Sequence, residues 1–133
     1  MKKPLILIFA TTLLFSITSC EEPFSWTPVN KEIEASYNYF MYTTNFEEGS
    51  KGYGLTRDRL SQGAYSSIAA TGFLLGSYPV FVEEGLMEKE VAKNIVDKTF
   101  DTVLGMQADS STSYGGCIAH FVDMQKATNF NKS

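Results

Sequence analysis

The chain has 133 residues, enough for one domain of ordinary size and too few for two. Its 11 Lys and Arg stand against 15 Asp and Glu, a formal charge of −4, which excludes the basic surface that a general nucleic-acid binder needs to displace counterions. Hydrophobic residues at 44% and aromatics at 14% exclude wholesale disorder, while one histidine and two cysteines are too few ligands for a structural zinc site, and no cofactor motif is present.

The first twenty residues follow the order of an export signal. Lys2 and Lys3 open it, an apolar run over 5–15 is softened only by Thr11 and Thr12, and Ile17-Thr18-Ser19-Cys20 closes it. The run falls short of the roughly 20 residues of a permanent membrane helix, so residues 1–19 are expected to be cleaved. Lys2 and Lys3 leave with them, and the remaining 114 residues carry a charge of −6. Small residues before Cys20 resemble the lipobox of bacterial lipoproteins, which implies a lipid-anchored protein of the cell envelope, expected at the outer membrane. Several acyl chains at about 0.8 kcal/mol per buried methylene hold a protein stably where one chain does not. Glu21 and Glu22 resemble the acidic export tag of surface lipoproteins. The alternative is an ordinary secretory signal in which Cys20 is incidental.

Residues 20–29 hold Pro23 and Pro28 and read as a lipidated tether, with the domain proper over 30–133. Thr27-Pro28 suits the start of a helix, with Asn30 as a rival cap, and the pattern runs to about residue 45. Ile33, Tyr37, Phe40, Met41 and Thr44 share one face, and Tyr39, Tyr42 and Phe46 another, so this helix is expected to pack between neighbours. Over 47–65 the period vanishes and Gly49, Gly52, Gly54 and Gly63 predict a long loop, of the kind that is functional or mobile. Ser66 or Ser67 then caps a helix over 68–84 that carries no charge from 68 to 82, is expected to be buried all round, and should kink at Pro79 and close at Gly85. A third helix over 88–104 carries the stripe Val91, Ala92, Ile95, Val96, Phe100, Val103 and Leu104, and Gly105 is expected to end it. A polar Ser/Gly loop follows, then a short strand over 117–122.

A buried helix joined by a tight turn to an amphipathic one is an antiparallel inner and outer pair, the unit of α/α layers. The chain holds about one and a half such pairs, so it is expected to be the first part of a larger domain that continues past Ser133. Four segments carry a resemblance: Gly54-Leu55-Thr56-Arg57-Asp58-Arg59, Ser66-Ser67-Ile68-Ala69-Ala70-Thr71-Gly72-Phe73, Tyr78-Pro79 through Val82-Glu83-Glu84-Gly85, and His120-Phe121-Val122-Asp123-Met124. In order and spacing they resemble the glucoamylase-like family of bacterial (α/α)6 toroids, many of them lipoproteins and some endo-β-1,2-glucanases. The resemblance covers roughly residue 33 to the end. It implies a mainly α fold, an incomplete toroid of inner and outer helices with one short β segment, and a glucan or oligosaccharide as ligand. It also implies that the family's catalytic acids lie further on, so no catalytic residue is assigned at any position here and the chain alone is expected to be inactive.

Read from the residues, glycoside hydrolysis needs two carboxyl groups about 5 to 9.5 Å apart. Asp58 and Asp123 are the acids in the motif-bearing segments. Asp58, between Arg57 and Arg59, suits the binding of sugar hydroxyls more than proton donation, with a loop salt bridge as its plainer role. Asp123 suits the start of a turn after the strand. His120 would hydrogen-bond a sugar from the strand end, unless it is a satisfied structural histidine. Arg57, Asp58 and His120 are therefore the candidate substrate-binding residues and Cys20 the lipidation site. Trp26, Tyr53 and Tyr65 are either sugar-stacking or packing aromatics. Cys117, three residues before His120, reads first as a small buried hydrophobe and only second as a nucleophile. The rival to the glucanase-like reading is a non-catalytic surface lipoprotein that binds carbohydrate or a partner protein.

Overall fold

The computed structural model describes residues 27–61 and 63–130. The proposed signal, Cys20 and most of the tether lie outside them. The described chain is about half helical, with three helices and small antiparallel sheets, which is the mainly α class in its coarse form.

Helix α1, Thr27–Thr43, starts where Thr27-Pro28 predicts. Its face of Ile33, Tyr37, Phe40 and Met41 packs on the core. The second expected face does not pack as a unit, because Tyr42 is 75% exposed. Strand β1, Tyr65–Ser67, leads directly into α2, Ile68–Glu83, and the Ser67 hydroxyl accepts the Ala70 N–H as the N-cap. Pro79 lies inside α2 without ending it. After the helix Gly85 takes φ +69°, its N–H reaches the Val82 carbonyl, and the Leu86 N–H reaches the Phe81 carbonyl. These two bonds are a Schellman cap, and the left-handed residue in it is the reason for glycine.

One side of α2, with Ala70, Thr71, Leu74, Tyr78 and Phe81, is buried. The expectation that α2 is covered all round is corrected. Ala69, Gly72, Phe73, Gly76 and Val80 are exposed, because among the described residues the helices that pack on α2 are α1 and one other. That other is α3, Lys89–Ala108, which runs four residues past the predicted end. Gly105 does not stop it, since one more turn buries Met106, and that burial outweighs the cost of about 1 kcal/mol for a helical glycine. The buried residues of α3 are Ala92, Ile95, Thr99 and Met106, whereas Val91, Phe100 and Leu104 of the expected stripe stay exposed.

The predicted strand over 117–122 is two strands. Strands β2, Ser113–Tyr114, and β3, Cys117–Ile118, form a hairpin around Gly115 and Gly116, both at positive φ as a two-residue turn requires. Strand β4, Phe121–Asp123, then pairs with β1 on one side and with β5, Thr128–Asn129, on the other. The chain leaves one ladder for the other at Ala119 and His120, where the His120 carbonyl accepts the Ile68 N–H at 3.1 Å.

Two cores result. In the first, Phe81 sits edge-on to Tyr37 at 5.3 Å and to Tyr78 at 6.2 Å, among Tyr53, Leu74, Ala92 and Ile95. The second holds Leu55, Met106, Val122 and Met124. Burial pushes the Tyr78 phenol well up from its ordinary value, with Tyr53 and Tyr37 adding to the shift.

The segment predicted as a long loop supplies Tyr53 to the first core and Leu55, fully buried, to the second. Thr44 and Thr56 close it as an antiparallel bridge, their hydroxyls 3.0 Å apart. Within it the Asn45 amide donates to the carbonyls of Met124 at 2.6 Å and Gly52 at 3.2 Å and to the Ser50 hydroxyl at 2.8 Å. Gly54, at φ +80°, lies so near α3 that a Cβ there would fall 2.0 Å from Thr99 Oγ1. Gly54→Ala is expected to cost about 3 kcal/mol or more, seen as a lower urea midpoint at unchanged slope; native stability in this variant would show that the approach to Thr99 is not tight. Asn45→Ala takes the side-chain partner from the Met124 carbonyl and the Glu47 N–H, while the Gly52 carbonyl keeps the Leu55 N–H, and is expected to cost about 2 to 4 kcal/mol by the same measurement.

Candidate functional site

The Thr44–Thr56 bridge delivers the chain to Arg57, whose N–H donates to the Thr43 carbonyl at 3.2 Å while its carbonyl accepts the Tyr39 hydroxyl at 3.4 Å. Ser67 donates its N–H to the Thr56 carbonyl at 3.0 Å, which brings the start of α2 alongside. The bond from Ile68 to the His120 carbonyl adds the bend between β3 and β4. Four stretches distant in sequence therefore meet at one place.

They enclose a pocket of about 360 Å³ lined by Tyr39, Phe40, Arg57, Asp58, Ser67, Ala69, Ala70, Phe73 and His120. Its size lies within the usual range for small-molecule sites, and it joins apolar walls to a few convergent polar groups. Phe73, 73% exposed, stands on the first turns of α2, and Tyr39 and Phe40 come from the last turns of α1. Burial raises the Tyr39 phenol above its ordinary value; the negative charge of Asp58 adds to this, and Arg57 and the bond to Thr43 oppose it. Tyr39 therefore remains a hydroxyl donor at neutral pH. A larger hollow of about 570 Å³ between α2 and α3 is mostly apolar, with Lys89 and Lys93 the charged residues of its described lining.

All three residues singled out for substrate binding line this one pocket: Arg57, Asp58 and His120. His120 is exposed. Its ring stands edge-on to Phe121 with centroids 4.4 Å apart. Asp123 is elsewhere and otherwise engaged. Its Oδ1 accepts the N–H groups of Gln125 at 2.9 Å and Lys126 at 2.8 Å, the Asx turn expected of it. Tyr53 is a core residue under Lys98, whose Nζ lies 5.1 Å from the ring centroid, and Tyr65 packs against Phe121 and Phe130. Trp26 lies outside the described residues. Cys117 is exposed on β3 and does not line the pocket, which corrects its reading as a buried hydrophobe.

The aromatic wall was harder to see in the sequence. Tyr39 belonged to a second aromatic face of α1 whose partner is the 56–58 segment rather than a helix, and Phe73 looked like core because α2 has no charges. Among the described residues no group of three or more His, Cys, Asp or Glu is placed to hold a metal ion, and no helix is long and apolar enough to cross a membrane. No family model, no curated protein and no solved structure matches the chain.

Proposed function

We propose that the chain is an exported, lipid-anchored protein that resembles the N-terminal part of a glucoamylase-like glycoside hydrolase, and that its pocket binds a glucan, with β-1,2-glucan a candidate. The observation that carries this reading is the convergence of Arg57, Asp58 and His120 on a single pocket walled by Tyr39, Phe40 and Phe73. Hydroxyl-rich ligands with apolar ring faces need that combination: charged and aromatic hydrogen-bonding groups for the hydroxyls, flat aromatic surface for the C–H faces. The exposed apolar side of α2 supports an inner helix that further layers of an (α/α)6 toroid would cover.

A second reading is a non-catalytic surface lipoprotein that binds carbohydrate or a partner protein, and one observation favours binding over hydrolysis. Of the described residues lining the pocket, Asp58 alone carries a carboxyl group, whereas hydrolysis needs a pair. Asp123 is committed to its turn. The catalytic residues stay unassigned.

Calorimetric titration with β-1,2-glucan and other glucans, beside a reducing-sugar assay, is expected to give binding without turnover. Arg57→Ala or His120→Ala should weaken that binding about tenfold each, the size of losing a charged or well-placed hydrogen bond, and a native chain that binds no glucan would remove the sugar reading. For the anchor, cells labelled with a radioactive fatty acid should incorporate label into the native chain and not into Cys20→Ala. Label retained in that variant would leave an ordinary secretory signal as the better reading.

A further inference from the structure

We infer that Met124 is a positioning residue for Arg57, fixing the plane of the guanidinium at the pocket, an inference that rests on the reading of that pocket as a sugar site. The Nε–H of Arg57 donates to Met124 Sδ at 3.3 Å. Met124 does not line the pocket and is 4% exposed, so it touches a ligand only through Arg57.

The backbone of Met124 is held from several sides. The Met124 N–H donates to the Ala64 carbonyl at 2.9 Å, and its own carbonyl accepts the Asn45 amide at 2.6 Å. Gly52 approaches that carbonyl so closely that a Cβ would lie 2.2 Å from its oxygen. Arg57 is fixed at its backbone by Thr43 and Tyr39. With both backbones set, the Nε–Sδ contact determines the orientation of the guanidinium plane.

A thioether is a weak acceptor, so what it contributes is orientation more than binding strength. A free arginine has five N–H donors in a rigid fork and a great deal of rotamer freedom. Using Nε on the protein leaves the Nη edge for the ligand, and a fork oriented beforehand loses less freedom when a sugar arrives. The loop glycine at 52 and the buried amide at 45 thus hold the pocket's cationic edge in register with the core.

The chain has two arginines, Arg57 and the exposed Arg59, so the ¹⁵N-labelled full chain gives two Nε–H signals with an internal reference. The Arg57 signal is expected to lie apart from that of Arg59 and to exchange with water on the order of tenfold more slowly. Met124→Leu, close in volume, should bring it to the Arg59 position and weaken glucan binding about three- to tenfold, with the thermal midpoint within a few degrees of native. Coincident Arg57 and Arg59 signals in the native chain would overturn the inference, and this comparison needs no folded variant. An Arg57 signal unmoved by Met124→Leu would overturn it as well. A distinct Arg57 signal in a native chain that binds no glucan would support the positioning and remove the sugar reading alone.

Discussion

The described structure turns on one buried carboxamide. Asn45 stands where α1 ends, and every polar group it owns is engaged: its N–H with the Leu55 carbonyl, its carbonyl with the Gly54 N–H, its Oδ1 with the Glu47 N–H, and its Nδ2 with Ser50, Gly52 and Met124. A side-chain amide in so dry a place is costly unless fully bonded, and fully bonded it admits few other arrangements. It joins the end of α1, the glycine-rich segment and the turn between β4 and β5. Through Leu55 and Met124 the same region makes half of the second core, and through Tyr53 part of the first.

That arrangement accounts for the pocket. Arg57 follows directly on the bonded segment and donates its N–H to Thr43, and the His120 carbonyl accepts the Ile68 N–H, so both are carried by hydrogen-bonded backbone. A site with its polar residues on such supports keeps their spacing without help from a ligand. On the proposed reading this is an edge of a sugar cleft, with Phe73 on the open side of α2 facing where more protein would lie. The described lining of the pocket supplies cationic and imidazole groups, one carboxylate and three aromatic rings, which on that reading serve recognition.

How far the site was legible depends on the kind of signal each residue carries. Arg57, Asp58 and His120 stand in short motif segments, which is why the sequence singles them out, and that they share a pocket is a tertiary fact. Asp123 was equally legible, because an aspartate after a strand makes its turn with local N–H groups. Tyr39 and Phe73 were not, since an aromatic residue on a helix looks the same whether it faces a core or a cleft. The lack of charge on α2 pointed to burial on all sides, yet charge pattern reports what a helix tolerates and not how many neighbours it has. In the 47–65 segment the loop was legible and its burial was not. Glycines and polar residues mark irregular backbone, and irregular backbone is usually at the surface unless a side chain such as Asn45 satisfies its polar groups inside.

Local information in the sequence determined where the helices start, the Ser67 cap, the Gly85 stop, the turn at Asp123 and the face that α1 turns to the core, because each depends on contacts within a few residues. Only the tertiary structure decided that α3 passes Gly105 to bury Met106, that the predicted strand divides between two ladders, and that one face of α2 lies open. It also decided that Gly52 and Gly54 are required by neighbours at Met124 and Thr99, far along the chain. The physical reason is the same throughout. A propensity is worth about a kilocalorie or less, and burying one large side chain or satisfying one buried amide is worth more, so long-range partners have the final say wherever the two disagree.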